Sequence, residues 1–276
     1  MPELPEVETI RKTLSTLVIG KRIEDVTVRW PNIIKFPEDT EEFKLNLIGQ
    51  TIHSLGRRGK FIQFHLDDYV LISHLRMEGK YFVVKKETEL DKHTHVIFSF
   101  TDGEELRYLD VRKFGTMHLY PKSIQYEERA PLNKLGPEPF DEAFTAEYFY
   151  EKLQKTHRPI KAVLLDQQVV TGLGNIYVDE TLFKARVNPE KTASMLTKEE
   201  AERIRQSAIL TLNVAVQLGR TTIRSYVNSQ GEMGMFQQEL SVYGRAGEPC
   251  LECGSEIRKL KVAGRGTHIC PECQKQ

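Results

Sequence analysis

Pro131-Leu132-Asn133-Lys134-Leu135-Gly136-Pro137-Glu138-Pro139 separates two kinds of sequence. Proline lacks the amide donor that a helix interior or a central strand needs, so this stretch reads as a hinge. Upstream, β-rich runs cover 22–30, 60–66, 69–73, 80–84, 95–100, 105–109 and 115–120, and Asp102-Gly103 joins two of them as a hairpin. Short strands in such density predict an antiparallel sandwich or barrel. Downstream the pattern is helical, at 145–154, 159–168, 176–185 and 197–218. The class is therefore α+β. Its expected parts are an N-terminal domain (1–134), a hinge (135–140), a helical domain (141–240) and a terminal finger (241–276).

Both ends of the chain sharpen this outline. Leu4, Val7, Ile10, Leu14, Leu17 and Val18 recur at helical spacing, with Pro5 in the first turn and Gly20 as the stop. Pro2 and Glu3 thus stand just ahead of a helix. Its positive end would favour an unprotonated Pro2 amine and would attract phosphate. At the other end, Cys250-x-x-Cys253 and Cys270-x-x-Cys273 match a closed four-thiolate zinc site. Disulfides and a rubredoxin-type iron are the rival readings of this spacing. The charged start, free of any apolar signal core, argues for reduced thiols in a cytoplasmic protein.

Composition narrows the partners. Lys+Arg and Asp+Glu balance at 39 each, so a nucleic-acid surface would have to come from segregated charge. No apolar run approaches the ~20 residues of a membrane span.

Several junctions carry residues suited to chemistry. With Met1 removed, Pro2 is a secondary amine that can attack an aldehyde-like carbon and give an iminium, with Glu3 beside it as acid or base. Arg57-Arg58-Gly59-Lys60 reads as a solvated basic loop, or as a place where glycine lets Lys60 approach a phosphate or a base. His74-Leu75-Arg76-Met77-Glu78-Gly79 and Asp110-Val111-Arg112-Lys113-Phe114-Gly115 are strand junctions. In the second, Phe114 suits a wedge between stacked bases and Arg112 suits a base edge. Thr171-Gly172-Leu173-Gly174-Asn175 opens a helix, and its amides offer either an anion site or a plain helix connection. Thr197 and Glu200 form a capping box for the long helix, which Gly219 is expected to end; 219–238 then reads as a long loop. Ala263-Gly264-Arg265-Gly266-Thr267 is a hairpin tip presenting one arginine, a phosphate grip.

Taken in this order, these stretches resemble the bacterial formamidopyrimidine-DNA glycosylases over essentially the whole chain. The resemblance implies an N-terminal helix plus antiparallel β-sandwich, then a helix–two-turn–helix domain with a C-terminal zinc ribbon holding one structural Zn²⁺ on Cys250, Cys253, Cys270 and Cys273. It implies Pro2 as nucleophile at C1′ of a damaged nucleotide and Glu3 as proton donor and acceptor, with Lys60 and Arg265 completing the catalytic set. Met77, Arg112 and Phe114 would fill the gap left by a flipped base, with Arg112 facing the orphaned cytosine. His93, Lys113, Asn175 and Arg265 would contact DNA. Glu78, Thr222, Arg224, Ser225 and Tyr226 would line the lesion pocket, the last four from the capping loop. The implied partner is duplex DNA with an oxidised purine, 8-oxoguanine or a formamidopyrimidine, opposite cytosine. The implied protein is a monomer that binds no membrane and works in the bacterial cytoplasm. Val111 and Lys113 depart from the Pro and Arg often seen around the Arg-Phe pair.

Two alternatives follow from the same residues. Endonuclease VIII shares the architecture and acts on oxidised pyrimidines, but its start has Gly where this chain has Leu4, and it lacks a Met-Arg-Phe trio. A noncatalytic zinc-ribbon binder of damaged DNA would need none of the Pro2 chemistry.

Overall fold

The computed structural model describes residues 1–226 and 240–275. The chain divides into two compact units, the first built mainly from 6–133 and the second from 3–5, 134–222 and the C-terminal segment.

The first unit takes α1 (Leu4–Val18) from residue 6 onward, and its Val7, Leu14 and Val18 are buried. Two sheets follow. One holds β1 (Ile23–Val28), β6 (Lys80–Lys85), β7 (Thr94–Phe100) and β8 (Glu104–Leu109), in the order β1-β7-β8-β6, all antiparallel. The other holds β2 (Ile34–Phe36), β3 (Ser54–Arg58), β4 (Phe61–His65), β5 (Tyr69–His74) and β9 (Thr116–Pro121), in the order β2-β9-β5-β4-β3. Among the described residues only the β2–β9 pairing is parallel. Phe98, Leu106 and Tyr108 of the first sheet share one apolar core with Ile62, Phe64, Leu71 and Leu119 of the second. This is the expected sandwich.

Its register places the functional junctions. Phe61 pairs with His74 and His74 with Thr116, so the β3–β4 turn at Gly59-Lys60 and the ends of β5 and β9 share one edge. Lys80 pairs with Leu109 in the other sheet. The crossings 75–79 and 110–115 therefore run side by side from sheet to sheet.

Among the described residues one α-helix and two strands went unread in the sequence. α2 (Thr40–Leu47) buries Phe43 and Leu47 one turn apart, and the Asp39 side chain caps it through the Glu41 amide at 2.9 Å. β2 is too short to leave a pattern. β3 includes Arg57 and Arg58, which pair with Ile62 and Phe61 rather than forming a loop.

The second unit contains α3 (Ala146–Gln154), α4 (Ile160–Leu165), α5 (Asn175–Lys184), α6 (Lys198–Tyr226) as far as Thr222, and the hairpin β10 (Arg258–Val262) with β11 (Arg265–Ile269). The capping box forms as expected: the Thr197 amide donates to Glu200 at 2.9 Å and the Glu200 amide to Thr197 Oγ1 at 3.2 Å. Gly219 does not stop α6, which continues to Tyr226. A helical glycine costs only about 1 kcal/mol, and Gly219 is buried, where packing favours a small residue. α4 stops sooner than expected, because Gln167 adopts a φ of 67° just past its end.

Candidate functional site

Glu3 sits in a cradle of backbone amides. It is buried, and its carboxylate accepts from the amides of Gly174 at 2.7 Å, Ile176 at 2.9 Å and Tyr177 at 3.2 Å. The glycine-punctuated turn is shaped around this tip: a Cβ on Gly174 would fall on the Glu3 carboxyl group, and one on Gly172 would fall on Leu4. The start of α5 is thus an anion site, as its sequence suggested. Its anion is the protein's own Glu3, however, and not a phosphate. Pro2, the residue before Glu3, is partly exposed.

α5 also organises the zinc-ribbon hairpin. Asn175 Nδ2 donates to the Gly266 carbonyl at 2.9 Å, while its buried Oδ1 lacks a partner among the described residues. Lys161, on α4, donates to Asp179 at 2.6 Å and to the same Gly266 carbonyl at 3.1 Å. The other Asp179 oxygen accepts the His268 amide at 2.9 Å. Both side chains of the Lys161–Asp179 pair are fully buried. Burial pushes Lys161 below the usual lysine range and Asp179 above the usual carboxylate range, each opposed by the other's charge. Arg265 opens β11 and stays exposed beside the Ala263-Gly264 turn, its backbone held in the hairpin pairing with Val262. Glu180 accepts three successive amides, Ser241, Val242 and Tyr243, each at 2.9 Å. Sequence reasoning missed Lys161 and Asp179. The available signal was a lysine set among Ile160, Val163 and Leu164.

The four cysteine Sγ atoms lie within 4.8 Å of one another. Cys250–Cys273 is 3.9 Å and Cys253–Cys270 is 3.4 Å, far beyond a disulfide bond. Tetrahedral zinc with Zn–S near ~2.3 Å needs thiolates about 3.8 Å apart, so the cluster fits one zinc ion. With four cysteine ligands no position is left for substrate, and the metal is structural.

At the sandwich edge, Lys60 follows Gly59, which has a φ of 57°, and is only 4% exposed, so it is not a solvated loop lysine. Arg57 braces this turn, donating to the Gly59 carbonyl at 2.9 Å and to Glu8 at 3.1 Å. The next crossing is fixed by His74, whose Nδ1 accepts the Arg76 amide at 2.8 Å. Burial, with Arg76 and Lys60 nearby, pushes the His74 imidazole down to about 3. Met77 projects from this turn 37% exposed, and Glu78 beside it is exposed. The other crossing hangs on Asp110, fully buried, which accepts the amides of Arg112 at 3.0 Å and of Phe114 and Gly115 at 2.8 Å each. Phe114 is 51% exposed, with the Arg112 guanidinium 4.8 Å above its ring. A half-exposed phenylalanine on a clamped turn presents an apolar face of the kind that can insert into a base stack.

The remaining sequence candidates sit as follows. Lys113 turns its ammonium onto the Trp30 ring, 4.0 Å from the centroid. His93 supports the Asp110 junction through its carbonyl, which accepts the Asp110 amide at 3.0 Å. The side chains of Thr222, Arg224, Ser225 and Tyr226, and the rest of the expected loop at 227–238, lie outside the described residues. Among the described residues no helix is long and apolar enough to cross a membrane.

Comparison with known proteins gives concordant matches along the chain. The Formamidopyrimidine-DNA glycosylase N-terminal domain matches residues 1–117, the Formamidopyrimidine-DNA glycosylase H2TH domain 135–227, and the zinc finger found in FPG and IleRS 247–276. The formamidopyrimidine-DNA glycosylase of Oceanobacillus iheyensis is 61% identical over 274 residues, 99% of this chain and 98% of its own length. The Lactococcus lactis Fpg (MutM), solved with DNA containing N7-benzyl-Fapy-dG, is 44% identical with a TM-score of 0.90, covering 100% of both chains. A MutM solved with DNA containing carbocyclic 8-oxo-G is 44% identical with a TM-score of 0.89, again covering 100% of both chains.

Proposed function

This chain belongs to the formamidopyrimidine-DNA glycosylase family, and from that membership we propose how its residues divide the work. The protein is a base-excision repair glycosylase and AP lyase that removes oxidised purines, 8-oxoguanine and formamidopyrimidines, from duplex DNA.

With Met1 removed, Pro2 is the nucleophile. Its nitrogen bonds to C1′, the bond from C1′ to the damaged base breaks, and the base leaves with the bonding pair and takes a proton. Sugar-ring opening then leaves an iminium between Pro2 and C1′. Loss of the C2′ proton expels the 3′ phosphate, and a second elimination expels the 5′ phosphate. Glu3 gives and takes the protons, and the amides of Gly174, Ile176 and Tyr177 fix where it can do so. Lys60 assists through the base or the phosphates. Met77, Arg112 and Phe114 replace the stacking and pairing lost on flipping, which costs a few kcal/mol.

Asn175 and Arg265 grip backbone phosphates, with His93 and Lys113 as further contacts; these position the duplex without reading sequence. The backbone seat of Arg265 also serves catalysis by holding the scissile region. Glu78, Thr222, Arg224, Ser225 and Tyr226 line the lesion pocket. Arg112 reads the orphaned cytosine. The enzyme acts as a monomer in the bacterial cytoplasm, on the DNA of the nucleoid. Its modules are the catalytic domain (1–134), the hinge (135–140), the helical domain (141–240) and the zinc ribbon (241–276).

The observation that carries the Pro2–Glu3 assignment is the acid next to Pro2, buried and held by three amides. The experiment is borohydride trapping on an 8-oxoguanine duplex, with mass spectrometry of the adduct. A reduced crosslink at the Pro2 nitrogen is expected. A crosslink on any other side chain, or undiminished cleavage by Pro2→Gly, overturns the assignment.

A further inference from the structure

The crossings that carry Met77 and Arg112-Phe114 meet at one atom. Tyr108, next to last in β8, is fully buried. A Cβ on Gly79 would fall on its hydroxyl oxygen, and so would a Cβ on Gly115. Neither glycine has a positive φ, so backbone conformation demands neither of them. At Gly115 the obstacles are all Tyr108 atoms; at Gly79 the Leu75 carbonyl adds a second one. The phenol therefore excludes a side chain from both turns.

Its surroundings tie it to both. The hydroxyl donates to Asp110 Oδ2 at 3.4 Å, and that oxygen also accepts the Phe114 and Gly115 amides. The ring packs edge-on against Tyr81 with centroids 5.1 Å apart, and Tyr81 donates to Ser73 Oγ at 2.7 Å. Ser73 immediately precedes His74, whose imidazole sets the Met77 turn. One path, through buried Tyr108 and Ser73 and half-buried Tyr81, thus joins the roots of the two exposed turns.

We propose that Tyr108 is a positioning residue that locks the two crossings together, so that Met77, Arg112 and Phe114 enter the duplex as one body. This rests on the reading of those three as the inserted residues. Separate turns would each lose conformational freedom on insertion, whereas a joined pair arrives already ordered. Such small displacements matter: a shift of ~1 Å in a supporting group can cost about a hundredfold in rate.

Tyr108→Phe removes the oxygen and keeps the ring. Single-turnover excision from an 8-oxoguanine:cytosine duplex is measured alongside 2-aminopurine fluorescence next to the lesion and thermal melting. A Met77→Ala/Arg112→Ala double-mutant cycle is run with and without Tyr108→Phe. In the parent background the two losses should be non-additive. With Tyr108→Phe, excision should fall about tenfold, less than the misplacement limit, and the cycle should become additive within about twofold. A cycle that stays non-additive overturns the proposal, and so does a fall in melting temperature with excision, fluorescence and coupling unchanged. If Met77→Ala and Phe114→Ala leave both excision and the 2-aminopurine signal unaltered, the insertion reading itself fails, and the coupling with it. Should Tyr108→Phe not fold, Gly115→Ala presses on the same hydroxyl and carries the same expectations.

Discussion

The Glu3 carboxylate lies 2.7 Å from the amide nitrogen of Gly174, and a methyl group at residue 174 would occupy the same space as that carboxyl group. Gly174→Ala therefore either ejects Glu3 or shifts the start of α5. A displacement of ~1 Å should lower excision and borohydride trapping by about a hundredfold. DNA affinity should fall far less, since phosphate contacts provide most of it. Full single-turnover activity in a folded Gly174→Ala protein would show that the Glu3 position does not matter.

His74 gives the protein an acid-sensitive element. Burial is the main reason that its imidazole is pushed from an ordinary value of 6.5 down to about 3, with Arg76 and Lys60 adding to the shift. The unfolded chain takes up a proton near 6.5 while the folded protein does not, so stability is full above that pH and is lost as pH falls toward about 3. Between pH 7 and pH 5 this one group should cost about 2 kcal/mol. His74→Gln lacks the titration, so its urea stability should fall less than the parent's over that interval. Parallel losses in the two proteins would rule out His74 as the cause.

What the sequence disclosed and what it hid divide along physical lines. α1 and α6 were readable because each repeats an apolar stripe over several turns, and the Thr197–Glu200 box marks a start by local chemistry alone. The zinc cluster was readable because ligand spacing follows from the metal. Asp110, Tyr108 and Asp179 were not, because their partners are set by tertiary contact: a buried aspartate holding three amides has no pattern of its own. Gly79 and Gly115 looked like turn residues, yet their need for hydrogen comes from a tyrosine in another segment. The α5 amides could be read as an anion site, but the sequence cannot show that Glu3, 171 positions away, is the anion that fills it.

The Lys161–Asp179 pair should behave as one unit. Lys161→Met leaves Asp179 charged and fully buried with its cation gone, which should destabilise by about 3–5 kcal/mol. Asp179→Asn still offers an acceptor to the His268 amide, so the double variant should recover much of that loss. Urea unfolding of the four proteins measures the coupling. Additive losses would mean that the two charges do not stabilise each other.

Arg112 is poised over Phe114 on a turn whose amides are already satisfied by Asp110, so its guanidinium is available to a base edge. Arg112→Ala should relax the preference for cytosine opposite 8-oxoguanine, at a cost of about 1–3 kcal/mol in discrimination. The comparison is the ratio of excision rates with cytosine and with adenine opposite the lesion. An unchanged ratio would mean that another residue reads the orphaned base.

Removing zinc tests how Arg265 is held. The hairpin is pinned near its turn by Asn175 and Lys161 on the Gly266 carbonyl and by Asp179 on the His268 amide. Its far ends depend on the cysteine cluster, around which the described residues supply only a small apolar core of Phe183, Val242 and Ile257. Without the metal the ribbon should lose order from the cysteine end inward, and the phosphate grip proposed for Arg265 should go with it. Chelation, or Cys253→Ala, should therefore weaken binding to an abasic-site duplex by at least about tenfold, with a shallower dependence on salt because one phosphate contact is lost. Arg265→Ala should show the same shallower slope with zinc retained. Metal-free protein that binds with the parent's affinity and salt slope would mean that the α5 contacts alone hold Arg265 in place.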